Sequence, residues 1–182
     1  MFEIYYTEIL FFITMIWCLV RVVIAVKNKK INWKRELQLI LVYICFIVIA
    51  RFVFFPFSKV DGKIQPLIFD DKLFTAKINL IPLVHMFDYA IKREAIINFV
   101  GNVTMFIPVG IVYPVVYKGL NTYWKVIVAG VGLSLCIEMV QLPLDRTVDI
   151  DDLIMNSLGY VLGYGIYLLV GKIKKMLKSV SK

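Results

Sequence analysis

The sequence is poor in the side chains that soluble catalysis and metal binding draw on. Among its 182 residues there is one histidine, His85, three cysteines, and only 19% charged residues. A single histidine excludes multi-histidine metal centres and argues against a Ser-His-Asp triad. Cys18, Cys45 and Cys136 all lie inside apolar stretches with no C-x-x-C spacing, so neither a disulfide framework nor a zinc site is expected. Bulky Met15-Ile16-Trp17 before Cys18 excludes a lipoprotein attachment site there. No cofactor and no metal is expected.

What the chain has instead is apolar surface. Residues of the set AVILMFWYC make up 60% of it, and mean hydropathy is +0.81. A soluble globule of this size could not bury that much, whereas about 20 apolar residues suffice to cross a bilayer. Five such stretches are present: Ile9 to Val26, Leu37 to Phe57, Ala95 to Tyr117, Tyr123 to Leu142, and Leu153 to Gly171. They predict an all-α fold, an integral membrane bundle of five transmembrane helices in a single domain over residues 1–182. The first stretch is expected to stay as an anchor, because Glu3 and Glu8 precede it without a base and no small-x-small cleavage site follows.

The net charge of +8 comes from short basic clusters between spans, a pattern of membrane orientation rather than nucleic-acid binding. Lys27, Lys29, Lys30, Lys34 and Arg35 crowd the first link, and Lys172, Lys174, Lys175, Lys178 and Lys182 the tail. Placing both in the cytoplasm puts the amino terminus outside, the carboxyl terminus inside, and the acidic Pro143-to-Asp152 loop outside. Arg21 and Arg51, near span ends, are expected to snorkel to the headgroups, with pairing to Glu138 or Glu8 as Arg51's alternative. The Ser58-to-Glu94 segment holds an Asp61-Gly62 turn signal and a short, proline-broken apolar patch. It is expected to be interfacial or re-entrant, with a lid over an outward-facing site as its functional reading.

Polar residues inside spans are costly, which makes their positions informative. Asn98 and Asn102 share one face of the third span with Phe106. Gly130, Ser134, Glu138 and Gln141 share a face of the fourth. Asp149, Asp152, Asn156, Gly159 and Gly163 align on the fifth if that helix starts near Asp149. Given the alternating helix directions, Asn98, Asn102, Glu138, Gln141, Asp152 and Asn156 all fall within about 10 Å of the outer boundary. Interhelical hydrogen bonds that merely hold the bundle would explain part of this; an outward-facing polar pocket explains the common depth. Gly159-x-x-x-Gly163 predicts close helix packing within the chain, and Pro108 and Pro114 predict a break or kink in the third helix.

These residues also form an ordered motif set. Asn98-x-x-Gly101-Asn102-x-x-x-Phe106-x-Pro108-x-Gly110 is followed by Glu138-x-x-Gln141 and by Arg146-x-x-Asp149-x-x-Asp152-x-x-x-Asn156-x-x-Gly159, with Asn79-Leu80-Ile81-Pro82 upstream. Over Asn79 to Gly171 the pattern resembles the VanZ-like membrane proteins, with Leu83 where that family commonly has phenylalanine. The resemblance implies a multi-pass cell-membrane protein linked to teicoplanin, that is glycopeptide, resistance.

Two functions follow. In the first, a non-enzymatic protein binds an envelope component or a lipoglycopeptide at the outer leaflet, through Asn98, Asn102, Glu138, Gln141, Arg146, Asp149, Asp152 and Asn156, while its spans contact membrane lipids. In the second, an enzyme acts on a lipid-linked envelope precursor, with Glu138 or Asp152 as general base and Arg146 as an anion clamp.

Overall fold

The computed structural model describes residues 2–55, 59–60, 62–69, 78–82, 92–142 and 148–180. His85, Arg146 and most of the predicted re-entrant segment lie outside the described residues. Among the described residues five helices are long and apolar enough to cross a membrane. They are α1 (Tyr6–Asn28), α2 (Trp33–Ile49, continued by a π-helical turn over Ala50–Phe54), α3 (Lys92–Val116), α4 (Tyr123–Gln141) and α5 (Ile150–Val180). The all-helical class read from composition is therefore the observed one, and lipid contact follows from it.

Three small strand pairs among the described residues were not legible in the periodicity. β1 (Phe2–Ile4) runs antiparallel to β4 (Leu67–Phe69), and β2 (Lys59–Val60) antiparallel to β3 (Lys63–Ile64). Gly62, in the link of that second pair, has φ 74°, a left-handed conformation open to glycine. β5 (Ile78–Asn79) pairs in parallel with β6 (Val148–Asp149). Pieces of two or three residues leave no periodic signature.

Contacts group the chain into two compact units, Met1–Lys77 with Val140–Thr147, and Ile78–Met139 with Val148–Lys182. In the first, α1 buries no residue. Its links to α2 are specific but few: the Thr14 and Tyr43 hydroxyls lie 2.6 Å apart, and the Trp17 and Tyr43 rings are in contact. Arg21 does not snorkel alone; its guanidinium makes a two-pronged ion pair with Glu36 of α2. Asn32 accepts the Arg35 amide and so caps the start of α2. Arg51 donates to the Phe55 carbonyl at 3.4 Å and stands over the Tyr6 and Phe52 rings, a packed position rather than a free anchor. Beneath it Phe55 and Leu67 form a small core with Ile4, Tyr6, Ile9, Phe54 and Ile64.

In the second unit α3 and α5 make the most extensive contact between any two elements. Glycine permits it. A Cβ at Gly159 would stand 2.1 Å from the Val103 carbonyl oxygen, one at Gly163 2.1 Å from that of Ile107, and one at Gly110 2.0 Å from that of Tyr160. The G-x-x-x-G pair is thus spent on packing within the chain. Tyr160 is fully buried, its ring against Gly130 of α4. α3 stays helical through Pro108 and Pro114 and ends at neither. Each proline removes one backbone hydrogen bond, a loss that close neighbours in a bundle offset, and Pro114 is fully buried. α5 runs past Gly171 to Val180; its 31 residues, at 1.5 Å each, outlast a hydrocarbon core of about 30 Å, which carries the lysine-rich end clear of it.

Candidate functional site

The start of α5 is built around one carboxylate. Asp149 Oδ1 accepts the backbone amide of Asp151 at 3.0 Å, which makes Asp149 the helix cap. The same oxygen accepts Asn79 Nδ2 at 3.1 Å, and Asn79 stands beside Asp149 in the β5–β6 register. Asn79 Oδ1 in turn accepts the Ile81 amide at 3.1 Å. The Asn79-Leu80-Ile81-Pro82 element therefore folds on its own asparagine and holds the first turn of α5.

Farther along α5 the polar stripe meets two helices in succession. Asp152 Oδ1 accepts Asn102 Nδ2 of α3. One turn later Asn156 Nδ2 donates to Ser134 Oγ of α4 at 3.1 Å. Ser134 is one turn from Glu138 on the same face of α4, and Glu138 lies within electrostatic reach of the Asp152 and Asp149 carboxylates, with the Asp149 backbone amide as a hydrogen-bonding neighbour. Ser134, Asp152, Asn156 and Glu138 thus form a two-by-two patch across α4 and α5.

Burial is graded across this patch. Asn102, Asp149 and Asp152 are half-buried, whereas Ser134, Glu138 and Asn156 are buried, with Glu138 at 4% and Asn156 at 3% exposure. Among the described residues four buried polar atoms have no hydrogen-bond partner: Glu138 Oε2, Asn156 Oδ1, Ser157 Oγ and Tyr160 Oη. Buried polar groups are ordinarily paired, so this concentration on two helices is a chemical feature of the site.

Of the eight residues singled out from sequence, Asn102, Glu138, Asp149, Asp152 and Asn156 come together. Asn98 is exposed on α3, one turn away from Asn102. Gln141 is buried and donates to the Val53 carbonyl at 3.1 Å within the first unit, serving the π-helical turn where a backbone acceptor needs an outside donor. Arg146 lies outside the described residues. Sequence reasoning left Asn79, Ser134, Ser157 and Tyr160 off the site. Asn79 was signalled only by its motif and Ser134 only by its stripe, while a tyrosine among apolar residues carries no polar signal. Among the described residues no group of three or more His, Cys, Asp or Glu side chains is disposed to hold a metal ion.

A model of the VanZ/LLP1 family matches residues 40–171, well over half of the chain. The match takes in α2 from its Ile40 onward, which the motif residues do not cover. Comparison with the curated proteins and with the solved structures finds no match.

Proposed function

The chain belongs to the VanZ/LLP1 family, and on that premise we propose that it is a non-enzymatic membrane protein whose polar cluster forms an outward-facing pocket for an envelope component or lipoglycopeptide, linked to teicoplanin resistance. The observation that carries this reading is Glu138, a buried carboxylate with one oxygen unpartnered, within electrostatic reach of the half-buried Asp149 and Asp152. A bundle that used its polar residues only to hold helices together would satisfy them all, because an unmet buried acceptor costs about 1–3 kcal/mol. The outward direction rests on the cationic first link and tail. A cysteine placed beside Arg146, in a chain lacking Cys18, Cys45 and Cys136, should react with an impermeant thiol reagent on intact cells, and one beside Lys30 should not. The reverse labelling would turn the pocket to the cytoplasm and end the proposal.

Function is tested by teicoplanin and vancomycin susceptibility, paired with membrane abundance, for the wild type, a deletion, Glu138→Gln and Asp152→Asn. Both substitutions preserve volume and should abolish the effect while the protein still inserts. A deletion that leaves teicoplanin susceptibility unchanged removes the resistance link, and variants that protect fully remove the carboxylates from the site. The unpartnered carboxylate is also the base that an enzyme on a lipid-linked precursor would need. Incubating the purified protein with envelope lipids and finding a changed species by mass spectrometry would select that enzymatic reading over binding.

A further inference from the structure

The chemistry of the unpartnered atoms narrows what the site takes. Glu138 Oε2 is a carboxylate oxygen and Asn156 Oδ1 an amide carbonyl oxygen, so both are acceptors, and both side chains are more than nine-tenths buried. Their positions are tied together by Ser134, which takes the Asn156 amide and sits one turn from Glu138, and by Asp152, one turn from Asn156 and close enough to act on Glu138. The Asn156 amide group and the Asn102 amide group are each already committed as donors, to Ser134 and Asp152. Among the described residues no donor serves Glu138 Oε2 or Asn156 Oδ1. On the same two helices Leu135, Met139, Ile154 and Leu158 are exposed apolar side chains, a surface suited to an acyl tail beside the polar patch.

We infer that the patch of Ser134 and Glu138 on α4 with Asp152 and Asn156 on α5 receives a primary ammonium group, carried by an amphiphile whose tail lies along the lipid-facing sides of these helices. A primary ammonium brings three N–H donors in a compact head, enough to serve Glu138 Oε2 and Asn156 Oδ1 together. A quaternary ammonium has the same charge and no donor, and leaves both oxygens unmet. A metal ion asks for more ligands than the two unpartnered oxygens, and no three acidic side chains are disposed to hold one among the described residues. This inference rests on the binding reading above and names the class of group bound.

The test uses the full-length protein in detergent, with phosphatidylethanolamine and phosphatidylcholine of matched acyl chains as probes, retention being read by native mass spectrometry. The wild type should hold the ethanolamine lipid at least about tenfold more tightly than the choline lipid, as charge-assisted hydrogen bonds gained by only one probe require. Glu138→Gln, which puts an N–H where an acceptor is needed, should remove the preference. Asn156→Asp keeps the acceptor and should retain it, which guards against a variant that fails only by unfolding. Equal retention of the two lipids by the wild type, an unaltered preference in Glu138→Gln, or displacement of the ethanolamine lipid by Na⁺ or Mg²⁺ overturns it. Those outcomes leave the susceptibility response intact, whereas loss of that response with the lipid preference preserved would sink the resistance reading alone.

Discussion

α1 and α5 are both long and apolar enough to cross a bilayer, yet they use their side chains in opposite ways. α1 belongs to the more apolar pair of spans and buries none of its residues. α5 is less apolar and buries Met155, Asn156, Gly159, Tyr160, Gly163 and Tyr164. In lipid an alkyl side chain gains little by leaving one apolar surface for another, so a purely apolar helix has little reason to choose a partner. Small residues that admit a neighbouring backbone, and polar residues that need one, supply that reason. The more apolar span is the better anchor, and the less apolar one is the better builder of a site.

The largest expected effect is at the close approach of α5 to α3. Gly159→Ala or Gly163→Ala would set a Cβ 2.1 Å from a carbonyl oxygen of rigid backbone, and should cost about 1–3 kcal/mol or more. Gly165→Ala, with nothing within 4 Å, should be neutral or slightly stabilising. Thermal unfolding of the purified variants measures both, and equal behaviour would erase the distinction between packed and lipid-facing sides of α5. Next in size is Asn102→Leu, which leaves the half-buried Asp152 without that donor and should cost about 1–2 kcal/mol. Its counterpart on α1, Thr14→Val, breaks the contact with Tyr43 and should cost less than about 1 kcal/mol, because both groups are half-buried and neither is charged. If the two costs proved equal, the contrast between the helices would lie in geometry and not in polar commitment.

Asp149 separates capping from charge. Asp149→Ala should lower stability by about 1 kcal/mol, whereas Asp149→Asn, which still offers a capping oxygen, should cost only a few tenths in the same melts. A large cost for Asn would show that the negative charge at the start of α5 matters for folding beyond the cap. The smallest effect belongs to Arg21 and Glu36, whose side chains are 22% and 27% exposed. A double-mutant cycle with Arg21→Gln and Glu36→Gln should give a coupling under about 1 kcal/mol that weakens with salt.

The sequence made the five spans legible because each is a long uninterrupted apolar run, a signal that needs no neighbour to interpret. It also made Asn102, Glu138, Asp152 and Asn156 legible, since a polar side chain in a span is costly enough to be informative and helical spacing assigns it a face. The ion-pair partner of Arg21 was not legible, because Glu36 lies on another helix and at no periodic spacing from it. Gln141 fell in the right stripe, but a stripe does not say which donor a distant main-chain carbonyl will recruit.

Composition and periodicity by themselves determined that this is a multi-pass membrane protein with five candidate spans, where those apolar helices lie in the chain, and which of their faces are polar. The physical reason is that solvent preference and helical period are properties of consecutive residues. Tertiary structure decided which atoms on those faces satisfy one another. It paired Asn79 with Asp149, Asn102 with Asp152 and Asn156 with Ser134, and left Glu138 Oε2 and Asn156 Oδ1 without partners. A hydrogen bond depends on a few tenths of an ångström between residues far apart in sequence, and that distance is set by how deeply glycine lets one helix sink toward the next.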